Sequence, residues 1–245
     1  MKRQTKQKLR DALIFFTHYS GLPVLRVWFY RCLEIPLLRV VAFHEIKDAE
    51  VKDFQEKLAF LKKKFNIISP EDFLNQRLDK QKINLLLTFD DAFESWLKNA
   101  VPVLKEENLS AIFFLNSKGL SLTSILNENS QTIGGHTVSH SRLTKIPHNE
   151  LIFEIGENKK QLERAIGQKI IFFAYPFGDK QSFNKLIVEE VEKAGYQYGF
   201  TILPGFNKLK TNSYLLHRDS VDVNWGNKFL KMWLLGAYDC WKQLL

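Results

Sequence analysis

The chain has 245 residues, 45% of them hydrophobic and 25% charged, which suits one large folded α/β domain and excludes a disordered or fibrous protein. Two cysteines, Cys32 and Cys240, are too few for a disulfide framework and permit a reduced, cytosolic setting. The formal net charge of +8 sits at the ends: residues 1–43 carry eight Lys or Arg against two acids, residues 226–245 three against one, and residues 44–225 carry 24 of each sign. A neutral middle without a nucleic-acid motif argues against a nucleic-acid partner, and basic, apolar ends fit peripheral contact with an anionic membrane better.

From the N-terminus, a basic segment to Arg10 leads into the uncharged stretch Ala12 to Leu25, interrupted by His18, Ser20, Gly21 and Pro23. That stretch is too short and polar to span a bilayer, which needs about 18 to 20 apolar residues. Its apolar core is also short for a secretory signal, and no small-x-small cleavage site follows. Residues 1–37 are therefore expected to form an uncleaved helical extension, lying on a membrane surface or packed under the main domain. The expected location is cytoplasmic, peripheral at the inner face of the membrane, ahead of secreted or periplasmic.

Leu38 to His44 reads as a first buried strand with His44 at its carboxyl end. A helix follows from about Ala49 to Lys64, with Phe54, Leu58, Leu61 and Phe65 at helical spacing. Ile67-Ile68 is a short strand, and Ser69-Pro70-Glu71-Asp72 carries an N-cap, a first-turn Pro and early acids that start another helix. The run Ile83-Asn84-Leu85-Leu86-Leu87-Thr88-Phe89-Asp90-Asp91 predicts a strand buried on both faces and ending in two carboxylates. Next come a helix over Trp96 to Asn108, a strand over Ala111 to Asn116, and Thr132-Ile133-Gly134-Gly135-His136 running into a loop. A helix over Asn149 to Ile166, stopped by Gly167, precedes a strand at Ile170 to Ala174. A helix over Ser182 to Ala194 precedes strands near Tyr198 to Leu203 and Tyr214 to Arg218. Short apolar strands alternating with helices predict a distorted (β/α) barrel of about seven parallel strands over residues 38–224. An open doubly wound sheet is the alternative, but no Gly-rich phosphate loop is present. Residues 225–245 read as a basic amphipathic helix, packed on the barrel or touching a membrane.

Two ionised carboxylates at the end of a buried strand repel one another and call for a cation. His136-Thr137-Val138-Ser139-His140 offers two imidazoles four residues apart, which one face of a helical turn would aim at a single ion. Joined to Asp91, they make a set of two imidazoles and one carboxylate with open positions, the pattern of a catalytic metal site. Asp90 is then free to take a proton from water.

These motifs resemble the metal-dependent polysaccharide deacetylases, the family 4 carbohydrate esterases. Thr88-Phe89-Asp90-Asp91 and His136-Thr137-Val138-Ser139-His140 are similar to its first two motifs, and Phe173-Ala174-Tyr175-Pro176-Phe177-Gly178 is similar to its third. The resemblance implies a divalent metal, zinc by preference, on Asp91, His136 and His140, with Asp90 as base and the Phe177 N–H as an oxyanion donor. Ala174 stands where many members place an Arg that orients the base, and Arg218 is the candidate to replace it. Phe43-His44 resembles the branch with permuted motif order, which makes His44 the expected general acid; His217, on a late strand, is the alternative. The implied activity is removal of an N-acetyl or similar small acyl group from an amino sugar in a polysaccharide or glycan precursor. The rivals are a deformylase or O-deacetylase of a lipid-linked sugar, and a catalytically silent glycan-binding barrel. Phe89, Phe93 and Trp96 are placed to line a sugar site, but aromatics beside a buried strand are more often core, and they are not assigned to the site.

Overall fold

A computed structural model describes residues 3–208, 210–239 and 241. It opens with two helices, α1 (Arg3–Tyr19) and α2 (Leu22–Cys32), separated by Gly21 at φ 76°, a left-handed turn that glycine adopts without strain. The body then alternates as the apolar pattern requires: β1 (Leu37–Phe43), α3 (Val51–Lys64), β2 (Asn66–Ile68), α4 (Pro70–Leu74), β3 (Ile83–Asp90), α5 (Ser95–Asn99), α6 (Val101–Glu106), β4 (Ile112–Leu115), α7 (Thr123–Glu128), β5 (Thr132–Gly135), α8 (His148–Ile166), β6 (Phe172–Ala174), α9 (Lys185–Lys193), β7 (Tyr198–Phe200), β8 (Asp219–Ser220) and α10 (Asn227–Leu234). The Ser69 capping box forms as expected, with the Ser69 hydroxyl accepting from Asp72 N–H at 3.0 Å.

All the strand pairs are parallel, in the order β7-β6-β5-β4-β3-β1-β8, and β2 pairs with the first half of β3 beside β4. The segment before β8 joins the two ends of that order. Leu216 bridges Phe200 on β7, and Asp219 three residues later pairs with Val41 on β1. The sheet is thereby curled into a distorted barrel, and every carboxyl strand end opens on the same side, where loops can converge.

Strand alternation sorts the core into two layers. Leu38, Val40, Leu86, Ile112, Phe114, Phe172, Phe200 and Leu216 fill the barrel interior, where Phe114 meets Phe200 across the barrel at 5.3 Å between ring centres. Val41, Phe43, Leu85, Leu87, Phe113 and Phe173 face outward against the buried stripes of the helices, such as Phe54, Leu58 and Leu61 of α3. The parity that puts Leu86 inside also puts Thr88 and Asp90 inside.

Several elements differ from the sequence pattern. The helix expected over Trp96 to Asn108 is broken at Ala100, because Pro102 lacks the N–H that would continue it and instead sits in the first turn of α6. The helix expected from Ser182 starts at Lys185, capped by the Asn184 side chain on the N–H of Ile187. The late strand expected over Tyr214 to Arg218 contributes only the Leu216 bridge, and regular pairing begins at Asp219. The C-terminal helix is confined to Asn227–Leu234 and followed by turns; its expected continuation over residues 242–245 lies outside the described residues, as does Cys240. Phe89 and Trp96 are fully buried core residues.

Candidate active site

The carboxyl ends of β1, β3, β5 and β6 bring His44, the Asp90-Asp91 pair, His136 and Phe177 to one face of the barrel. Asp90 is the last residue of β3 and is 3% exposed inside the barrel. Arg218, on the inward parity of Leu216, grips it bidentately, with both Nη–Oδ distances at 2.7 Å. The same guanidinium donates to the Thr201 carbonyl at 2.9 Å and the Thr88 hydroxyl at 3.1 Å. Burial pushes the Asp90 carboxyl up, but Arg218, His136 and His44 outweigh it and hold the carboxyl below its ordinary value.

Asp91 leaves the strand with φ 85°, which turns its side chain away from Asp90 and toward the histidine loop. Its Oδ1 lies 3.3 Å from His136 Nε2 and 3.1 Å from His140 Nε2. Burial raises this carboxyl too, and the two imidazoles reverse the effect, so that it lies well below the carboxylate range. The ring of His136 is oriented from behind: Nδ1 is 2.8 Å from the Ala174 carbonyl. A carbonyl can only accept, so Nδ1 carries a hydrogen, and Nε2 is the ring atom directed at Asp91. Candidate ligand atoms of Asp91, His136 and His140 all lie within 4.8 Å of one another. A carboxylate oxygen and imidazole Nε2 atoms gathered at one point fit a cation, and the carbonyl behind His136 is the support a metal-binding histidine commonly has.

The two histidines do not share a helical turn, as their spacing predicts. Residues 136–142 form an irregular loop in which Thr137 and His140 are left-handed, at φ 64° and 62°. Buried polar groups of α8 impose that shape. Glu154 accepts from the Ser139 N–H at 2.9 Å and the Ser139 hydroxyl at 2.6 Å, while Asn158 accepts from the His136 N–H at 3.0 Å. Five non-glycine residues here have positive φ (Asp91, Ala92, Thr137, His140 and Phe177), a concentration of backbone strain typical of functional sites.

Phe177 has φ 62°, and its ring lies 4.8 Å from that of His140 and 4.4 Å from the Arg142 guanidinium. Arg142 is fixed by a bidentate pair with Asp179 at 2.8 and 3.1 Å. His44 is exposed and follows β1, where Phe43 pairs with Phe89, so it stands level with Asp90 on the inward parity of Leu38 and Val40. It lines an open cleft of about 400 Å³ with Glu45, Lys47, Val221, Asp222 and Trp225. His217 lies elsewhere. It shares the outward parity of Asp219 and Val221, and its backbone exchanges two hydrogen bonds, each 2.8 Å, with the Asn207 side chain. Asn207 in turn bridges Leu38 at the far end of β1.

Glu154, Asn158, Arg142 and Asp179 are the supporting residues that the motifs do not reveal. A signal existed for two of them, since Glu154 and Asn158 occupy the buried stripe of α8 together with Leu151, Ile155 and Leu162. Polar residues in a core stripe must find partners, and here the partner is the histidine loop.

A poly-beta-1,6-N-acetyl-D-glucosamine N-deacetylase of Staphylococcus aureus is 24% identical over 216 residues, 77% of this chain and 73% of that protein. Among solved structures, the fold is shared with Streptococcus pyogenes deacetylase PplD in complex with acetate (TM-score 0.70, 19% identity, 82% of this chain and 99% of that one). It is also shared with IcaB from Ammonifex degensii (TM-score 0.68, 21% identity, 82% and 98%). The family model for polysaccharide deacetylase matches residues 77–199, from just before β3 into β7, and the chain belongs to that family.

Proposed function

We propose that this protein is a metal-dependent N-deacetylase acting on a polymeric amino sugar, of the kind named for its Staphylococcus aureus relative. The observation that carries the reading is the meeting of Asp91, His136 and His140 beside an ionised, buried Asp90 at one end of the barrel. Asp91, His136 and His140 would hold the cation, for which zinc suits two imidazoles and one carboxylate. When bound, such a cation supplies a Lewis acid for the acyl oxygen and lowers the pKa of water from about 16 toward about 7.

The remaining steps fall to side chains and backbone. Asp90, kept ionised by Arg218, accepts a proton as the water oxygen bonds to the acyl carbon. The Phe177 N–H donates to the oxyanion that forms, and Arg142 and His140 hold that residue's ring in place. His44 protonates the nitrogen as the C–N bond breaks, which leaves acetate and a free amine. Acetate release from N-acetylglucosamine oligomers tests the reading, with N-formyl oligomers run in parallel. Acetate release that is lost on chelation and restored by zinc is expected. Release of formate alone, or release that a chelator does not change, would overturn it.

A further inference from the structure

Helices α1 and α2 bury few of their own apolar residues. Ile14, Thr17, Pro23 and Val27 face the body, whereas Phe16 (72% exposed), Tyr19 (67%), Leu22 (60%), Leu25 (58%), Trp28 (58%) and Phe29 (54%) face away from it. The exposure does not come from loose attachment. Arg26 pairs with Asp239 at 2.8 Å, Trp241 donates to the Thr17 hydroxyl at 2.6 Å, and the Arg10 guanidinium lies 5.7 Å from the Trp233 ring. The helix pair is thus held against the C-terminal segment with an aromatic face turned outward, a surface that soluble proteins rarely leave uncovered.

Charge identifies what covers it. Lys8 and Arg31 are exposed on the two helices, and the Lys228 ammonium stands 5.5 Å from the Tyr19 ring. The two acids of residues 1–34, Asp11 and Glu34, are engaged by Arg10 and Lys80. A second copy of the same face would set like charges against each other. No described helix is long and apolar enough to cross a membrane. We propose that the α1–α2 pair lies in the plane of an anionic bilayer, with its aromatic face among the headgroups and acyl ends and its Lys and Arg residues on acidic lipid. Aromatic residues with both an apolar body and a polar edge, such as Trp28 and Tyr19, favour that depth.

The test is independent of catalysis. The full chain is sedimented with phosphatidylcholine vesicles, with and without phosphatidylglycerol, at low and high salt. Wild type is expected to sediment with the anionic vesicles, at least about tenfold more weakly with the neutral ones, and less at high salt. The variant Phe16→Ser/Leu25→Ser/Trp28→Ser should lose about tenfold or more of the binding while keeping the wild-type melting temperature. The variant Lys8→Glu/Arg31→Glu should lose the preference for anionic lipid. Failure to sediment with either vesicle, unchanged binding by the variants, or a stable solution dimer that the serine variant dissociates would overturn the assignment.

Discussion

Asp90 and Asp91 are adjacent in sequence and have opposite surroundings, because a strand turns successive side chains to opposite faces and φ 85° at Asp91 bends the chain out of the sheet. Asp90 meets a guanidinium inside the barrel; Asp91 meets two imidazoles at the carboxyl ends of the strands. The same parity separates the two candidate acids, since His44 falls on the inward face at the level of Asp90 and His217 on the outward face near Asn207. His44→Ala is expected to lower hydrolysis of an N-acetyl sugar by about a hundredfold or more, while hydrolysis of an activated aryl acetate, whose leaving group needs no proton, falls far less. His217→Ala should stay within about threefold of wild type on both. Steady-state rates on the two substrates check this, and the reverse pattern would move the acid to His217.

Among the elements, β5 shows how tightly the site is built. Gly134 and Gly135 immediately precede His136, and a Cβ at Gly135 would stand 2.1 Å from the Tyr196 hydroxyl and 3.0 Å from Asn158 Oδ1, the atom that accepts from the His136 N–H. Gly135→Ala is expected to destabilise the fold by about 1–3 kcal/mol and to weaken metal binding, read by chemical denaturation and by metal titration. An alanine variant as stable and as metal-avid as wild type would show that the contact yields freely. The strands carrying chemistry were legible because each is an apolar run ended by an abrupt polar residue: Phe43-His44, Phe89-Asp90-Asp91 and Gly135-His136. What the sequence did not disclose are contacts between distant residues. Arg218 and Asp90 are 128 positions apart; the family resemblance, which leaves Ala174 where an orienting Arg is usual, makes Arg218 a candidate, but no local pattern ties a guanidinium on a late, irregular strand to a particular carboxylate. The histidine loop misled for a related reason: the i, i+4 spacing is helical, but Glu154 and Asn158 impose another shape. α7 has only six residues and too little periodicity to stand out.

Across the whole molecule, both extensions are tied to the barrel through one buried cluster. Arg39, fully buried on β1, pairs with Asp219 at 3.1 Å and with Asp239 at 2.8 Å, and Asp239 also receives Arg26 of α2. Burial, followed by the neighbouring Asp239, pushes the Asp219 carboxyl up to about 6 despite Arg39 and the Trp233 indole. A carboxyl raised above its unfolded value of 3.8 binds more protons in the folded state, so the stability it contributes is fully present below that value and is lost as pH rises toward about 6. The stability of wild type relative to Asp219→Asn is therefore expected to fall as pH rises through this window and to level off above it, as denaturant melts at several pH values would record; a difference that grows with pH would contradict the assignment. The unlike roles proposed for the two adjacent carboxylates, base for Asp90 and metal ligand for Asp91, make the central claim. Metal content and acetate release measured on the same preparations of wild type and Asp90→Asn test that most directly. Equal metal content with release reduced about a hundredfold or more is the predicted result; a near-normal rate, or loss of the metal, would contradict it.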